Sequence, residues 1–182
     1  AIVSDLNTKF IVPGKTLSEI SKLLREEDEE AYLVVSQKHI VFRISGYYVV
    51  SRLLEGDFLD YNAAIPKISK TTVKINTRSL TDSVERTSLL ISDRLRSPIR
   101  LVVTENKVQL SCSTAMGKAH DEVDCEVSGE AVSMGFNNKY LLDALKASDC
   151  DMVKLEINGA LSPMRMIPME GDSFLFLVLP VR

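Results

Sequence analysis

The 182 residues give room for one ordinary domain or two small ones. Apolar residues at 45% and charged residues at 26% exclude a disordered or collagen-like chain, and no apolar run approaches the ~18–20 residues of a membrane span. The net charge of −3, from 22 basic and 25 acidic side chains, supplies no global attraction for nucleic acid.

Five of the acids lie together in EEDEE, Glu26 to Glu30, which reads as a solvated loop; without them the chain is slightly basic. The opening AIVSDLNTKF lacks the charged-then-apolar layout of a signal segment. Cys112, Cys125 and Cys150 are odd in number and spaced unlike a zinc or redox motif, so reduced, buried thiols and a cytoplasmic location are expected.

In chain order, FIVPGKTLSEISKLL from Phe10 reads as a short strand, a Pro-Gly break and a helix. Thr16 and Glu19 have the spacing of a capping box, which predicts a helix start near Leu17. Leu17, Ile20 and Leu24 would face inward, and Ser18, Lys22 and Arg25 outward, with Lys15 just before. Three strands follow: AYLVVS, IVFRIS and YYVVSRLL. The turn-rich link EGDFLDYNAAIPKISK then marks a domain boundary.

The same order recurs. TTVKIN is a strand, TRSLTDSVERTSLLI a helix with Leu80, Val84 and Ile91 near one face, IRLVVTENKVQLSCS a hairpin, and DEVDCEV a third strand. The last copy runs from the strand EAVSMGF into the helix NNKYLLDALKAS, with Asn137 placed to cap it. MVKLEINGALSPMRMI is its hairpin, with Asn158-Gly159 the strongest turn signal in the chain. SFLFLVLPVR is its third strand, and its six-residue apolar run from Phe174 to Leu179 fits a strand buried on both faces. Three units of strand, helix and three strands predict an α+β fold. If two units make a domain, the first 70 residues are half a domain plus the link, and residues 71–182 are a complete one; an odd count implies a further unit upstream.

Nothing in the chain reads as catalytic. His39, placed in a hairpin turn, and His120, in a polar loop, are expected to be exposed. There is no phosphate-cradling Gly-Lys-Ser/Thr loop, paired-His metal motif or Gly-x-Ser-x-Gly elbow, so no cofactor or metal is expected. Tyr47 and Tyr48 offer stacking surfaces, but strand alternation places at least one of them in the core. Exposed Lys and Arg on three helices can form a diffuse basic surface or merely keep the helices soluble. Base readout would need a dedicated helix or ribbon that is not there.

Four segments carry a family resemblance: the link GDFLDYNAAIPK, the helix opening GFNNKYLLDALK, the hairpin SPMRMIP and the ending LVLPVR. In this order they resemble the β subunits of bacterial DNA polymerase III, the sliding clamps, from about Phe10 to the end. The resemblance implies the DNA-clamp fold, in which antiparallel sheets lie outside and helices line a hole around duplex DNA. Six such domains, three from each of two head-to-tail subunits, close the ring. About half of a usual subunit is covered: the second half of the middle domain with the link, residues 1–70, and the C-terminal domain, residues 71–182.

The implied function is a non-enzymatic processivity factor, without cofactor or membrane contact, that tethers replicative and repair polymerases to DNA. Polymerase and clamp-loader subunits dock short peptides in an apolar groove. The matching positions here are Leu59, Ala63 and Ala64 in the link, Asn137 and Tyr140 at the third helix, and Leu161 and Pro163 in the last hairpin. The tail adds Leu177, Val178, Leu179, Pro180, Val181 and Arg182. Leu59 stands where the family usually carries proline, and Ala63 and Ala64 are small. The DNA-facing positions are Lys15, Lys22, Arg25, Arg78, Lys139 and Lys146, and those at the subunit interface are Leu90, Ile91 and Arg96. The rival expectation is a cytosolic α+β metabolic enzyme with its active site in a cleft between repeats. That reading requires an acid, base and nucleophile set that the sequence does not display.

Overall fold

In the computed structural model, residues 8–25, 30–91 and 97–181 are described. Arg96 and Arg182, expected at the subunit interface and the groove, lie outside them, as does most of the EEDEE run. The chain divides into two compact units, Ala1–Leu59 and Asp60–Arg182. The boundary falls within the link, whose residues from Asp60 onward belong with the second unit and make both of the link's hydrogen bonds described below.

In the first unit, helix α1 (Gly14–Leu23) precedes strands β1 (Ala31–Val35), β2 (His39–Ile44) and β3 (Tyr47–Arg52), which form an antiparallel sheet in that order. The helix begins three residues before Leu17, behind Pro13, which makes no side-chain cap. The expected capping box does not form. Pro13 supplies a φ suited to a helix start, and Thr16, one turn in, shares a 2.7 Å hydrogen bond with Ser51 on β3 instead. Only Ile20 of the expected inner face is buried; Leu17 and Leu24 are about half exposed. Ile20 packs with Ile40, Phe42, Ile44 and Leu53, a core of five buried residues among those described.

The opposite sheet face carries Tyr32, Arg43 and Tyr48 in one cross-strand row, with the Arg43 guanidinium 6.0 and 5.5 Å from the two ring centroids. Tyr47 and Tyr48 are both exposed, contrary to the alternation argument. Tyr47 does share the core face with Ile44, but it sits at the end of the sheet, where exposure shows that nothing covers it among the described residues. His39 opens β2 rather than sitting in the turn, and it is exposed.

The second unit holds a short helix α2 (Tyr61–Ala64) and then β4 (Thr71–Asn76), α3 (Thr77–Ser88), β5 (Ile99–Val103), β6 (Lys107–Thr114) and β7 (Gly117–Gly129). The series repeats as β8 (Val132–Phe136), α4 (Asn138–Ala147), β9 (Met152–Ile157), β10 (Met164–Pro168) and β11 (Phe176–Val178). Asn76 and Asn137 cap the two long helices, accepting from the N–H groups of Ser79 and Lys139 at 2.9 Å. The strands form an antiparallel array in the order β11-β10-β9-β4-β7-β6-β5-β8. Alternating strand residues pack against one face of α3 and α4: Val73 and Ile75, Leu101 and Val103, Leu155 and Ile157 cluster with Leu80, Val84, Leu141 and Leu145.

An internal two-fold relation governs this order. β4 lies between β7 of its own copy and β9 of the other. β8 pairs with β5 of the other copy and is bridged at Phe136 by Pro180, just beyond its own β11. β7 reaches both neighbours as one strand of 13 residues, with residues up to Asp124 on β6 and those from Cys125 on β4. In the second copy β11 ends at Val178, and the tail crosses to β8, where the Val181 N–H donates to Gly135 O at 2.8 Å.

The tail is therefore not a strand buried on both faces. β11 is an edge strand three residues long, with Val178 buried, Leu175 and Leu179 exposed, and Phe174 stacked on Phe176 at 5.0 Å. Nor is His120 in a loop: it lies on β7, exposed. Cys112 is buried and donates to Thr87 O, whereas Cys125 and Cys150 are half-buried free thiols.

Candidate functional site

Around the N-terminus of α4 the fold gathers several residues singled out in the sequence. Asn137 is half-buried and spends its side-chain oxygen on the cap, and Tyr140 in the first helical turn is 62% exposed. The tail passes alongside, because Pro180 bridges Phe136 and Val181 is bonded to Gly135. A Cβ on Gly135 would lie 3.2 Å from Val181 O, a close approach that a larger residue could keep only if the tail shifted by a few tenths of an ångström.

Met164 pairs with Val178, and carrying that register one step further sets Pro163 opposite Leu179. Pro163 is half-buried, while Leu161 in the same loop is 71% exposed. The Asn158-Gly159 turn signal thus opens a loop of six residues between β9 and β10, closed by Ser162 N–H donating to Gly159 O, and this loop carries Leu161 outward. Of these residues Tyr140, Leu161, Leu179 and Val181 are exposed, and Pro163, Leu177 and Pro180 are half-buried.

Val178 is a correction to the sequence-derived groove. Its side chain is 3% exposed and belongs to the core, so it supports the site without lining it. Ala63 and Ala64 are exposed on α2. Leu59 ends the first unit and is 82% exposed.

The link is fixed to the second unit at two points. Lys70 N–H donates to Ile157 O at 2.9 Å, and Arg165 Nη1 donates to Pro66 O at 2.8 Å. No sequence signal pointed to Arg165, since an arginine on a strand reads as a solvated residue. Only its reach to a proline carbonyl 99 positions away gives it a role.

The expected DNA-facing cations are all exposed, but their environments differ. Lys15 lies in the first turn of α1, while Lys22 is paired with Glu19 at 2.9 Å. Lys146 contacts Glu85 at 2.8 Å across the two helices; that hydrogen bond and the Glu85 charge hold its ammonium above the usual lysine range. Arg78 and Lys146 share a shallow cleft of about 330 Å³ with Asp82, Asp149 and Asp151, a mixed-charge surface rather than a phosphate cradle. Arg25 and Lys139 are exposed and have polar or charged partners of their own.

At the end of α3, Ile91 packs against the core and Leu90 is half-buried, its Cδ1 lying 3.7 Å from where a Cβ of Gly117 would stand. The apolar residue offered outward there is Leu89, 82% exposed, which the sequence reading passed over. α3 ends at Ser88, before the expected end at Ile91, and in the turn that follows Leu89 is exposed and Ile91 half-buried.

Among the described residues no group of His, Cys, Asp or Glu is arranged to hold a metal ion, and no helix is long and apolar enough to cross a membrane.

Comparison with known proteins supplies the frame for this geometry. Residues 2–60 match the central-domain family of the DNA polymerase III beta subunit, and residues 62–182 match its C-terminal-domain family. The beta sliding clamp of Staphylococcus epidermidis is 34% identical over 178 residues, 97% of this chain and 47% of its own length. That of Staphylococcus aureus is 32% identical with the same coverage. Among solved structures, the DNA polymerase sliding clamp from Bacillus subtilis gives a TM-score of 0.92 at 29% identity, over 100% of this chain and 48% of that one. A DNA polymerase III beta subunit from Eubacterium rectale gives 0.88 at 33% identity, over 96% and 47%. The sliding clamp from Bartonella birtlesii, solved bound to griselimycin, gives 0.88 at 27% identity, over 95% and 47%. The chain spans about half the length of the curated relatives it matches. Its fold is the DNA-clamp fold, and the chain belongs to the DNA polymerase III beta subunit family.

Proposed function

We propose that this chain is part of a DNA sliding clamp, a non-catalytic processivity factor that holds replicative and repair polymerases on duplex DNA by encirclement. In this reading Ala1–Leu59 is the second half of the clamp's middle domain and Asp60–Arg182 its C-terminal domain. The protein works in the bacterial cytoplasm at the nucleoid, as a head-to-tail homodimer. Family membership supports the reading, and so does the charge pattern. Encirclement is topological and tolerates weak, sequence-blind phosphate contacts, which suits helices whose lysines are partly neutralised by Glu19 and Glu85.

The observation that carries the partner-binding part is the exposed apolar cluster of Tyr140, Leu161 and Leu179 where the tail crosses the N-terminus of α4. Exposed apolar residues with half-buried neighbours suit a short apolar-aromatic peptide, the class that clamp loaders and polymerases would present. The remaining groove assignments are Ala63, Ala64, Asn137, Pro163, Leu177, Pro180 and Val181, with Leu59 and Arg182 completing the set. The DNA face is assigned to Lys15, Lys22, Arg25, Arg78, Lys139 and Lys146. The subunit contact falls at Leu90 with its exposed neighbour Leu89, while Ile91 supports it from the core.

The test is an NMR titration of the chain with a short peptide ending Leu-Phe. Saturable shifts are expected at the amides of Tyr140, Leu177, Leu179 and Val181. A folded spectrum that stays unmoved at millimolar peptide would remove the groove.

A further inference from the structure

We infer that Arg165 is the positioning residue for the link side of the groove: it clamps the link backbone onto the row of the sheet that carries Leu177. The inference rests on the peptide-groove reading above and names a residue that the reading does not use.

Arg165 on β10 pairs across the sheet with Glu156 on β9 and with Leu177 on β11, so the three side chains form one row. Their neighbours along the strands, Met164, Met166, Leu155 and Val178, fill the core on the opposite face. From this outer row the guanidinium makes two contacts. Nη2 donates to the Glu156 carboxylate, and Nη1 donates to Pro66 O at 2.8 Å.

Proline has no backbone N–H, so its carbonyl is the one main-chain group through which that point of the link can be held. The Arg165 and Glu156 side chains are only 23% and 16% exposed, and at such sites a forked, charge-assisted pairing gains strength from the scarcity of water. The Arg165 Nε–H is buried without a partner. With Nε–H unsatisfied, the guanidinium is oriented by what its two Nη groups hold. Below Pro66, Lys70 is pinned to Ile157; above it come α2, Ala63 and Ala64. One side chain therefore ties the link that bears two proposed groove residues to the strand row that bears a third.

Lysine at this position keeps the charge but lacks the rigid planar fork that presents separate nitrogens to Glu156 and Pro66 O, which makes Arg165→Lys the discriminating substitution. On the full chain, three quantities are read: the rate of tryptic cleavage after Lys67, amide exchange over Tyr61–Ile65, and the affinity of a fluorescein-labelled peptide ending Leu-Phe. Thermal unfolding and the protection of β9 serve as the structural controls. Arg165→Lys is expected to leave the controls in place, to raise link cleavage and exchange about tenfold, and to weaken peptide binding by a similar factor, the equivalent of one lost charged hydrogen bond. Glu156→Gln, which preserves side-chain volume, should move the same quantities by less and covers the case in which the lysine variant fails to fold. Unchanged link protection in both variants overturns the inference, and so does a freed link with unchanged peptide affinity. If the unsubstituted chain binds no peptide while Arg165→Lys still frees the link, the groove reading fails and the clamping contact stands.

Discussion

Gly129 closes β7 opposite Thr71 at φ +115, and a Cβ there would sit 2.0 Å from Lys70 O. Backbone strain and a main-chain clash act together, so Gly129→Ala is expected to cost about 3 kcal/mol by urea unfolding. Gly159→Ala, at φ +149 with open space around it, should cost about 1 kcal/mol. Equal losses would mean that the clash is relieved at no cost. Neither site could be ranked from the sequence, where both are glycines beside turns; the difference lies in a carbonyl brought in by a strand pairing. Asp121 also takes its character from distant groups. Partial burial pushes its carboxyl up, and the hydrogen bonds from Arg86 and the Glu122 N–H, with the Arg86 charge, outweigh that and hold it below the ordinary aspartate range. A lowered native pKa means that its stabilisation is complete above the unfolded value, about pH 4, and is lost as pH falls through the lower native value. Asp121→Asn should therefore flatten the fall in melting temperature below about pH 4 while leaving its slope near neutrality unchanged. An identical acid profile in the two proteins would remove Asp121 from the acid response.

At the scale of elements, the order of strands and helices was legible because the apolar periods switch cleanly between two and 3.6. The Asn137 cap was legible for the same local reason, whereas the Thr16–Glu19 box failed because Pro13 starts the helix earlier and Ser51 engages Thr16. The length of β7 was not legible. Its sequence GKAHDEVDCEVSG buries only Val123, since the rest of the strand is held by two different neighbours rather than by a core. The tail hid its role in the opposite way, with an apolar run that suggested a central strand where the fold makes an edge strand and a crossing. Val178 belongs to the core, so Val178→Ala should cost about 2 kcal/mol. Removing residues 179–182 deletes the Val181–Gly135 hydrogen bond, the bridge to Phe136 and partly exposed side chains, and should cost only about 1 kcal/mol. The truncated chain should keep its fold and lose its response to peptide. Truncation that unfolds the second unit, followed by circular dichroism, would show instead that closing the array at β8 is indispensable to the fold.

For the whole molecule, the division of the core decides behaviour. Among the described residues, the second unit packs 21 buried apolar residues into one cluster, and the first packs five, Ile20, Ile40, Phe42, Ile44 and Leu53. At roughly 1.5–3 kcal/mol for each fully buried large side chain, five residues supply little against an ordering cost of about 1–2 kcal/mol per backbone position. The first unit also leaves Leu17, Leu24, Leu33 and Tyr47 half exposed on or beside the helix and the core face of the sheet, where a larger core would cover them. In this chain the two units should therefore not unfold as one. Rising urea, followed by hydrogen exchange, should release the amides of Val41–Ile44 on β2 well before those of Val153–Ile157 on β9, in two separate transitions. A single coincident transition would show that the first unit draws its stability from the second, whereas two transitions would show that its own small core sets its limit. The same experiment with the Leu-Phe peptide present separates the sites as well. A ligand stabilises only the unit that binds it, so a groove built mainly on the second unit should raise the β9 transition and leave the β2 transition where it was.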